Sequence, residues 1–296
     1  MILCFDIGGS RIKAAVADGG DLRLLGDAPT PTADFAAFVS AMRQFATGLS
    51  PEAVAVSIAG VVAPDSGRIR VANIPCADGR CLADDLSAAL GLPVLVMNDA
   101  DCFALAETRR GAARGHRNVF GVILGTGVGG GLIIDGRLVE GAGGYAGEWG
   151  HGPVIAPPFD FACGCGLRGC VDAVGGARGL ERLHSELNGG PKDGKATSAS
   201  ILAEWDTGAE AAQRTVDKWL QLIAPPLAMV LNVVGASCVP VGGGLSNNHR
   251  LVAALDAEVR RMILRATTAP ILVPAVCQPE PGLIGAAEAA MERFGG

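Results

Sequence analysis

Three cysteines and a histidine are the first residues in this chain whose types and spacing point to chemistry. Cys163, Cys165 and Cys170 fall in a C-x-C-x4-C pattern, and His151 stands twelve residues before the first of them. The glycines at 164, 166 and 169 let such a loop fold back on itself. Three thiolates and one imidazole close a tetrahedral zinc site and leave no open position, so the expected metal is structural rather than catalytic. The other cysteines are dispersed, mostly among apolar neighbours. With nine in all, an odd number in a chain of 296 residues, they read as reduced thiols in a reducing, cytoplasmic compartment.

Two glycine-rich turns carry a second chemistry. Asp6 precedes Gly8, Gly9 and Ser10, followed by Arg11, and Gly125-Thr126-Gly127-Val128-Gly129-Gly130 satisfies G-x-G-x-x-G. In a dinucleotide-binding fold that motif must open a helix. Here it runs into Gly131-Leu132-Ile133-Ile134-Asp135-Gly136, an apolar stretch ending in a turn pair, so it belongs to a β-hairpin and the NAD reading falls. A hairpin turn without Cβ atoms can still aim successive backbone N–H groups at an anion. Ser10 and Thr126 add hydroxyl donors. One turn in each half of the chain would grip the phosphates of a nucleotide between them, and a carboxylate at Asp6 beside phosphate implies Mg²⁺.

Asp99 follows the apolar run 94–97 within Asn98-Asp99-Ala100. A carboxylate at the end of a buried strand is rigidly aimed and can accept a hydroxyl proton while that oxygen attacks a phosphoryl group. Asn and Asp are also preferred helix N-caps. Both roles fit, one residue capping while the other faces a substrate.

The elements that must position these groups are legible as apolar patterns. Strands are expected over 2–7, 12–17, 54–58, 94–97, 119–124, 132–134, 238–241 and 271–273, with 125–131 read as a glycine turn. Helices are expected over 34–47, 82–90 and 100–110. Further helices run from about 177 to 231, interrupted by the polar stretch 188–198, and the last covers about 282–293. Two strand–turn–strand units, each heading an α/β region, predict two related lobes. The expected units are 1–112, completed by 282–296, and 113–281 with a zinc loop over 151–172. The crossover of the last helix is implied by the resemblance given below. A 49% hydrophobic content supports a large core. The net charge of −6 and pI near 5.3 give no electrostatic footprint for nucleic acid; the N-terminal run Met1 to Phe5 is too short for a signal peptide, and no apolar stretch is long enough for a membrane span.

Together these residues resemble the ROK family (repressors, open reading frames and sugar kinases) of the actin/hexokinase superfamily. The match rests on Asp6-Ile7-Gly8-Gly9-Ser10, Asn98-Asp99-Ala100, the 125–131 glycines, Glu148-Trp149-Gly150-His151, the cysteine cluster and Gly242-Gly243-Gly244-Leu245-Ser246. The resemblance implies a two-lobed, actin-like (ribonuclease H-like) α/β fold with ATP and a sugar in the cleft. It implies that Asp6, Gly8, Gly9, Ser10, Arg11, Gly125, Thr126, Gly127 and Gly129 handle ATP phosphates and Mg²⁺, and that Gly242, Gly243 and Gly244 serve the nucleoside side. Asp99 becomes the general base. Asn73, Asn98, Glu148, His151 and Asp172 match sugar-hydroxyl positions, and His151, Cys163, Cys165 and Cys170 match zinc ligands. A homodimer is the common state of such relatives. Asp172 stands where the family usually has Glu, Ser10 where it has Thr, and Arg11 where it has Lys.

Within the family, Ala72-Asn73-Ile74-Pro75, the run from Asn98 to Leu105 and the run from Gly242 to Asn247 resemble bacterial kinases of N-acetyl-D-glucosamine, which implies transfer to the 6-hydroxyl of that sugar. Glu148-Trp149-Gly150-His151 resembles the fructokinase (mannokinase) branch equally, and glucokinases share most of these residues. Other members are sugar-responsive repressors with a preceding DNA-binding domain; a first strand starting at Ile2 leaves no room for one, and the acidic pI argues likewise. A sugar-binding regulator without catalysis would not require Asp6, Asp99 and both turns.

Overall fold

The computed structural model describes residues 1–189 and 196–295. Most of the expected 188–198 interruption and the final residue of the 282–296 segment lie outside the described residues.

The chain opens with β1 (Ile2–Ile7), β2 (Arg11–Asp18) and β3 (Asp21–Pro29), followed by α1 (Phe35–Phe45), β4 (Ala53–Ile58) and a small ribbon of β5 (Val61–Val62) and β6 (Ile69–Arg70). Then come α2 (Leu82–Leu90), β7 (Val94–Asn98) and α3 (Asp99–Arg109). The first sheet has the order β3-β2-β1-β4-β7, with β1 antiparallel to β2 and parallel to β4, and β4 parallel to β7. Both faces are covered, which is why 2–7 reads as a continuous apolar run. Leu3, Phe5 and Ile7 pack with Phe38, Met42, Leu82 and Leu86 of α1 and α2. Ile2 and Cys4 face the other way.

The second half repeats the plan. β8 (Val119–Leu124), β9 (Val128–Ile134) and β10 (Arg137–Leu138) lead to four helices: α4 (Asp172–Gly175), α5 (Ala177–Asn188), α6 (Ser198–Asp206) and α7 (Glu210–Val234). β11 (Val239–Gly242), α8 (His249–Met262), β12 (Leu272–Pro274) and α9 (Pro281–Phe294) complete the chain. The sheet order β10-β9-β8-β11-β12 mirrors the first: an antiparallel hairpin followed by parallel strands. Helices α5 to α8 bury a core around Trp219 on one face.

Two long helices join the halves. α3 packs on β8 and β9 of the second sheet and on β4 and β7 of the first. α9, the last element, packs on α3 and on β1 and β4 of the first sheet. A third core cluster therefore draws Ile2, Ala15 and Ala55 from one sheet, Val119 and Ile133 from the other, and Cys102, Leu105, Leu283 and Ala287 from the helices between.

One expectation needs correction, and two features had none. The glycine turn ends at Gly127, because Gly129, Gly130 and Gly131 lie inside β9, paired with Ile123, Val122 and Gly121 of β8. Strand β3 and the β5–β6 ribbon carried no expectation. β3 is an edge strand with mostly exposed or half-buried residues and a register shift near Gly26, so it lacks an apolar alternation.

Candidate active site in the cleft between the sheets

Asp99 is delivered by the junction of β7 and α3. Asn98 ends the strand and caps the helix, its Oδ1 accepting from Ala100 N–H at 2.8 Å and Asp101 N–H at 3.1 Å, while its Nδ2 donates to Gly60 O at 3.1 Å. Such a cap stabilises the helix by about 1 kcal/mol. The implied sugar contact of Asn98 is therefore reduced to one remaining amide hydrogen. The Asp99 carboxyl, whose Oδ1 also accepts from Ala100 N–H at 3.0 Å, stands at the wall of a cavity of about 460 Å³. Burial raises its pKa to about 6, with repulsion from Asp6 and Glu148 adding to the effect.

The same cavity is lined by Gly125, Thr126, Gly127, Val128 and Gly129 of the second turn, and by Glu148, His151 and Asp172. The turn closes through Gly125 N–H to Gly127 O at 3.0 Å, and Ala177 N–H at the start of α5 holds Gly125 O at 2.8 Å. Asp172 is more a brace than a free ligand: its Oδ1 accepts from Val128 N–H at 2.8 Å, and a Cβ at Gly127 would strike that oxygen.

Glu148 and His151 flank the cavity because the residues between them are fastened to β9. Trp149 Nε1 donates to Gly129 O at 3.0 Å with its ring edge-on to Phe120, and a side chain at Gly150 would meet Val128 O. His151 turns Nε2 toward Glu148 Oε2 at 3.6 Å and Nδ1 toward Cys163 Sγ at 3.7 Å. One imidazole thus touches both the cleft and the cysteine loop.

His151, Cys163, Cys165 and Cys170 place one ligand atom each within 4.8 Å of one another. Three sulfurs and a nitrogen at this spacing fit a tetrahedral structural zinc. The Leu167 backbone N–H stabilises the Cys165 thiolate and lowers its pKa, whereas burial raises that of Cys163.

The first turn lies on the other lobe. Gly8 N–H bonds Arg11 O, and Thr30 secures the turn by donating from Oγ1 to Gly8 O at 2.7 Å. Asp6 accepts from Ser57 Oγ at 2.8 Å and lies under the N-terminus of α9, where a side chain at Gly282 would collide with it. Burial pushes the Asp6 pKa up, which a Mg²⁺ ion carried in with nucleotide would reverse. Asn73 packs against Gly9 and is exposed; Ala72, not Asn73, lines the cavity. Arg11 is paired with Asp27. Gly242 is explained by packing, since a Cβ there would enter the Phe103 ring, whereas Gly243 lies against the backbone of Leu124 and Gly125. The 242–244 turn thus stands beside the 125–127 glycine turn.

Sequence reasoning missed Ser57, Thr30 and Arg70. Arg70 lines both this cavity and an adjoining one of about 540 Å³ bounded by Tyr145, Asp78 and Leu167. It had no motif to mark it, and only the β5–β6 ribbon brings it to the cleft.

Comparison with known proteins settles the family. The ROK family pattern matches residues 2–293. The chain belongs to the ROK family. An N-acetyl-D-glucosamine kinase of Salmonella paratyphi B is 35% identical over 297 residues, covering 96% of this chain and 97% of that one. A ROK hexokinase from Thermus thermophilus superposes with a TM-score of 0.86 at 31% identity, covering 100% of this chain and 99% of that one. A ROK glucokinase from Streptomyces griseus, in complex with glucose and AMPPNP, gives a TM-score of 0.78 at 29% identity over 98% and 99% of the two chains. This ROK protein accordingly has the two-lobed, actin-like α/β fold. Among its described residues no helix is long and apolar enough to cross a membrane.

Proposed function

We propose that this ROK protein is an ATP-dependent sugar kinase that phosphorylates N-acetyl-D-glucosamine at the 6-hydroxyl, with Asp99 as general base. The observation that carries the reading is the Asp99 carboxyl at the wall of a cavity it shares with the 125–129 turn, Glu148 and His151. A sugar hydroxyl placed between that carboxylate and the turn would lose its proton to Asp99 as it attacks the γ-phosphorus, and ADP would leave. A general base works best with a pKa near the operating pH, and burial moves Asp99 toward that range. Glu148 and His151 would orient the sugar hydroxyls. Asp6 would hold Mg²⁺ directly or through water. The backbone N–H groups of both turns would hold the phosphates, with Gly243 and Gly244 toward the nucleoside. A zinc held by His151 and the three cysteines would fix the imidazole in its orientation.

The choice of sugar is supported by the 35% identical kinase named for it. Glucose is the second reading, favoured by the glucokinase solved with glucose. A coupled ADP-release assay over N-acetylglucosamine, N-acetylmannosamine, glucose, mannose and fructose tests the proposal. The highest kcat/KM is expected for N-acetylglucosamine. A preference for another hexose would move the substrate, and sugar binding without ADP release would make the protein a regulator.

A further inference from the structure

The chain passes between the two sheets at residues 110–118, from α3 to β8, and again at 275–280, from β12 to α9. One side chain touches both passages. Glu107, on the last turn of α3, is fully buried. Its Oε2 accepts from Ala112 N–H at 2.8 Å, in the outgoing passage. Its Oε1 accepts from Val276 N–H at 3.0 Å and Cys277 N–H at 2.7 Å, in the returning one. The donors lie more than 160 residues apart in sequence. The surroundings reinforce the junction: Gly111 and Ala113 N–H bond the Glu107 carbonyl, Cys277 Sγ donates to Ala106 O, and Glu280 holds Lys13 of β2 through both carboxylate oxygens.

We infer that Glu107 is the pin of the inter-lobe hinge, a positioning residue that keeps the two passages at a fixed separation so that the lobes rotate about it when they close on substrates. Points on a rotation axis do not move, so hydrogen bonds gathered there survive closure while contacts far from the axis must remake. A carboxylate suits the role because its two oxygens accept from opposite sides at once, as no other side chain of this length does. The inference rests on the kinase reading for its substrates and on the geometry of Glu107 for its content. Without the pin the passages separate, the closed arrangement is a smaller fraction of the ensemble, and apparent sugar affinity falls by that fraction.

The test is Glu107→Gln. Its amide turns an N–H₂ toward one set of backbone N–H donors, while size is kept. Circular dichroism and the thermal midpoint report folding. Steady-state kinetics and small-angle scattering, with and without sugar and AMPPNP, report closure. Expected are a rise in sugar KM of about tenfold, kcat at saturation within about twofold of the parent, and a larger unliganded radius of gyration. A lowered midpoint with unchanged KM and unchanged scattering would mean that Glu107 only buttresses the fold, and the inference would be wrong. A fall in kcat with unchanged KM would overturn it too, since Glu107 would then act through Asp99 on the same helix. Should the Gln variant not fold, Gly111→Ala displaces the same carboxylate, because a Cβ there collides with Glu107 Oε2 as well as with the Glu107 backbone. It must show the same rise in KM, and an unaltered KM sinks the idea. Failure of the kinase reading is separable: the parent would then release no ADP with any sugar, while compaction by nucleotide would still report on the hinge.

Discussion

Burial, aided by Asp6 and Glu148, holds the Asp99 carboxyl at about 6, and the consequence for turnover has a sign. A base acts when deprotonated, so kcat/KM should climb with pH and level off above about 6. Asp99→Asn should lower kcat by about 10²–10⁴-fold while sugar binding, read by calorimetry, persists. An active Asn variant would refute the role. Asp101, two residues on, is buried without a hydrogen bond to its carboxyl among the described residues, and desolvation, with Glu140, Asp99 and Glu148, raises it to about 8. A raised acid contributes stability that is fully present below its unfolded pKa, near 4, and lost as pH rises through the folded value. Asp101→Asn should therefore melt above the parent at pH 8 and show a weaker pH dependence between 4 and 8. Parallel melting curves of the two proteins across that range would exclude it.

At the scale of elements, glycines decide how close the cleft walls come. A Cβ at Gly131 would meet Ala100 O at 2.5 Å and Ala104 Cβ at 2.8 Å, so α3 lies on β9 only because that position is bare. Gly131→Ala should cost about 1–3 kcal/mol in urea unfolding and displace the helix that carries Asp99. A midpoint equal to the parent's would contradict this packing. The cysteine loop is tied to the same wall through His151. Chelation, with metal loss confirmed by elemental analysis, should open residues 152–169 to proteolysis and raise sugar KM; unchanged kinetics would dissociate the loop from the site. These cases also show what the sequence could reveal. The C-x-C-x4-C spacing and the Asn98-Asp99 junction are local signals, set by chemistry within a few residues. Gly130 and Gly131 misled because their reasons lie across space, Gly130 against Gly147 and Trp149 and Gly131 against α3. Arg70 and Glu107 were silent for the same cause: each takes its meaning from segments far along the chain. Asp172 was legible as a carboxylate near the site, but its bond to Val128 N–H, which turns it into a brace, was not.

For the whole molecule, the third core cluster argues against two independent lobes. Residues of both sheets and both joining helices share it, so neither half buries its inner face alone. Calorimetry should give one cooperative transition for the ligand-free protein, and two resolved peaks would contradict the shared core.

The placement of α9 has a bearing on biosynthesis. A nascent chain emerges with the first sheet early, yet the helix that covers its inner face is encoded some two hundred residues later. Until α9 has been made, Ile2, Cys4, Ala15 and Ala55 lack part of the cover they share with α3 in the third core cluster, and the emerging half exposes apolar surface of the kind that aggregates. A ribosome stalled in that interval would hold an aggregation-prone intermediate, and the making of α9 would act as the latch that commits both halves to their native packing.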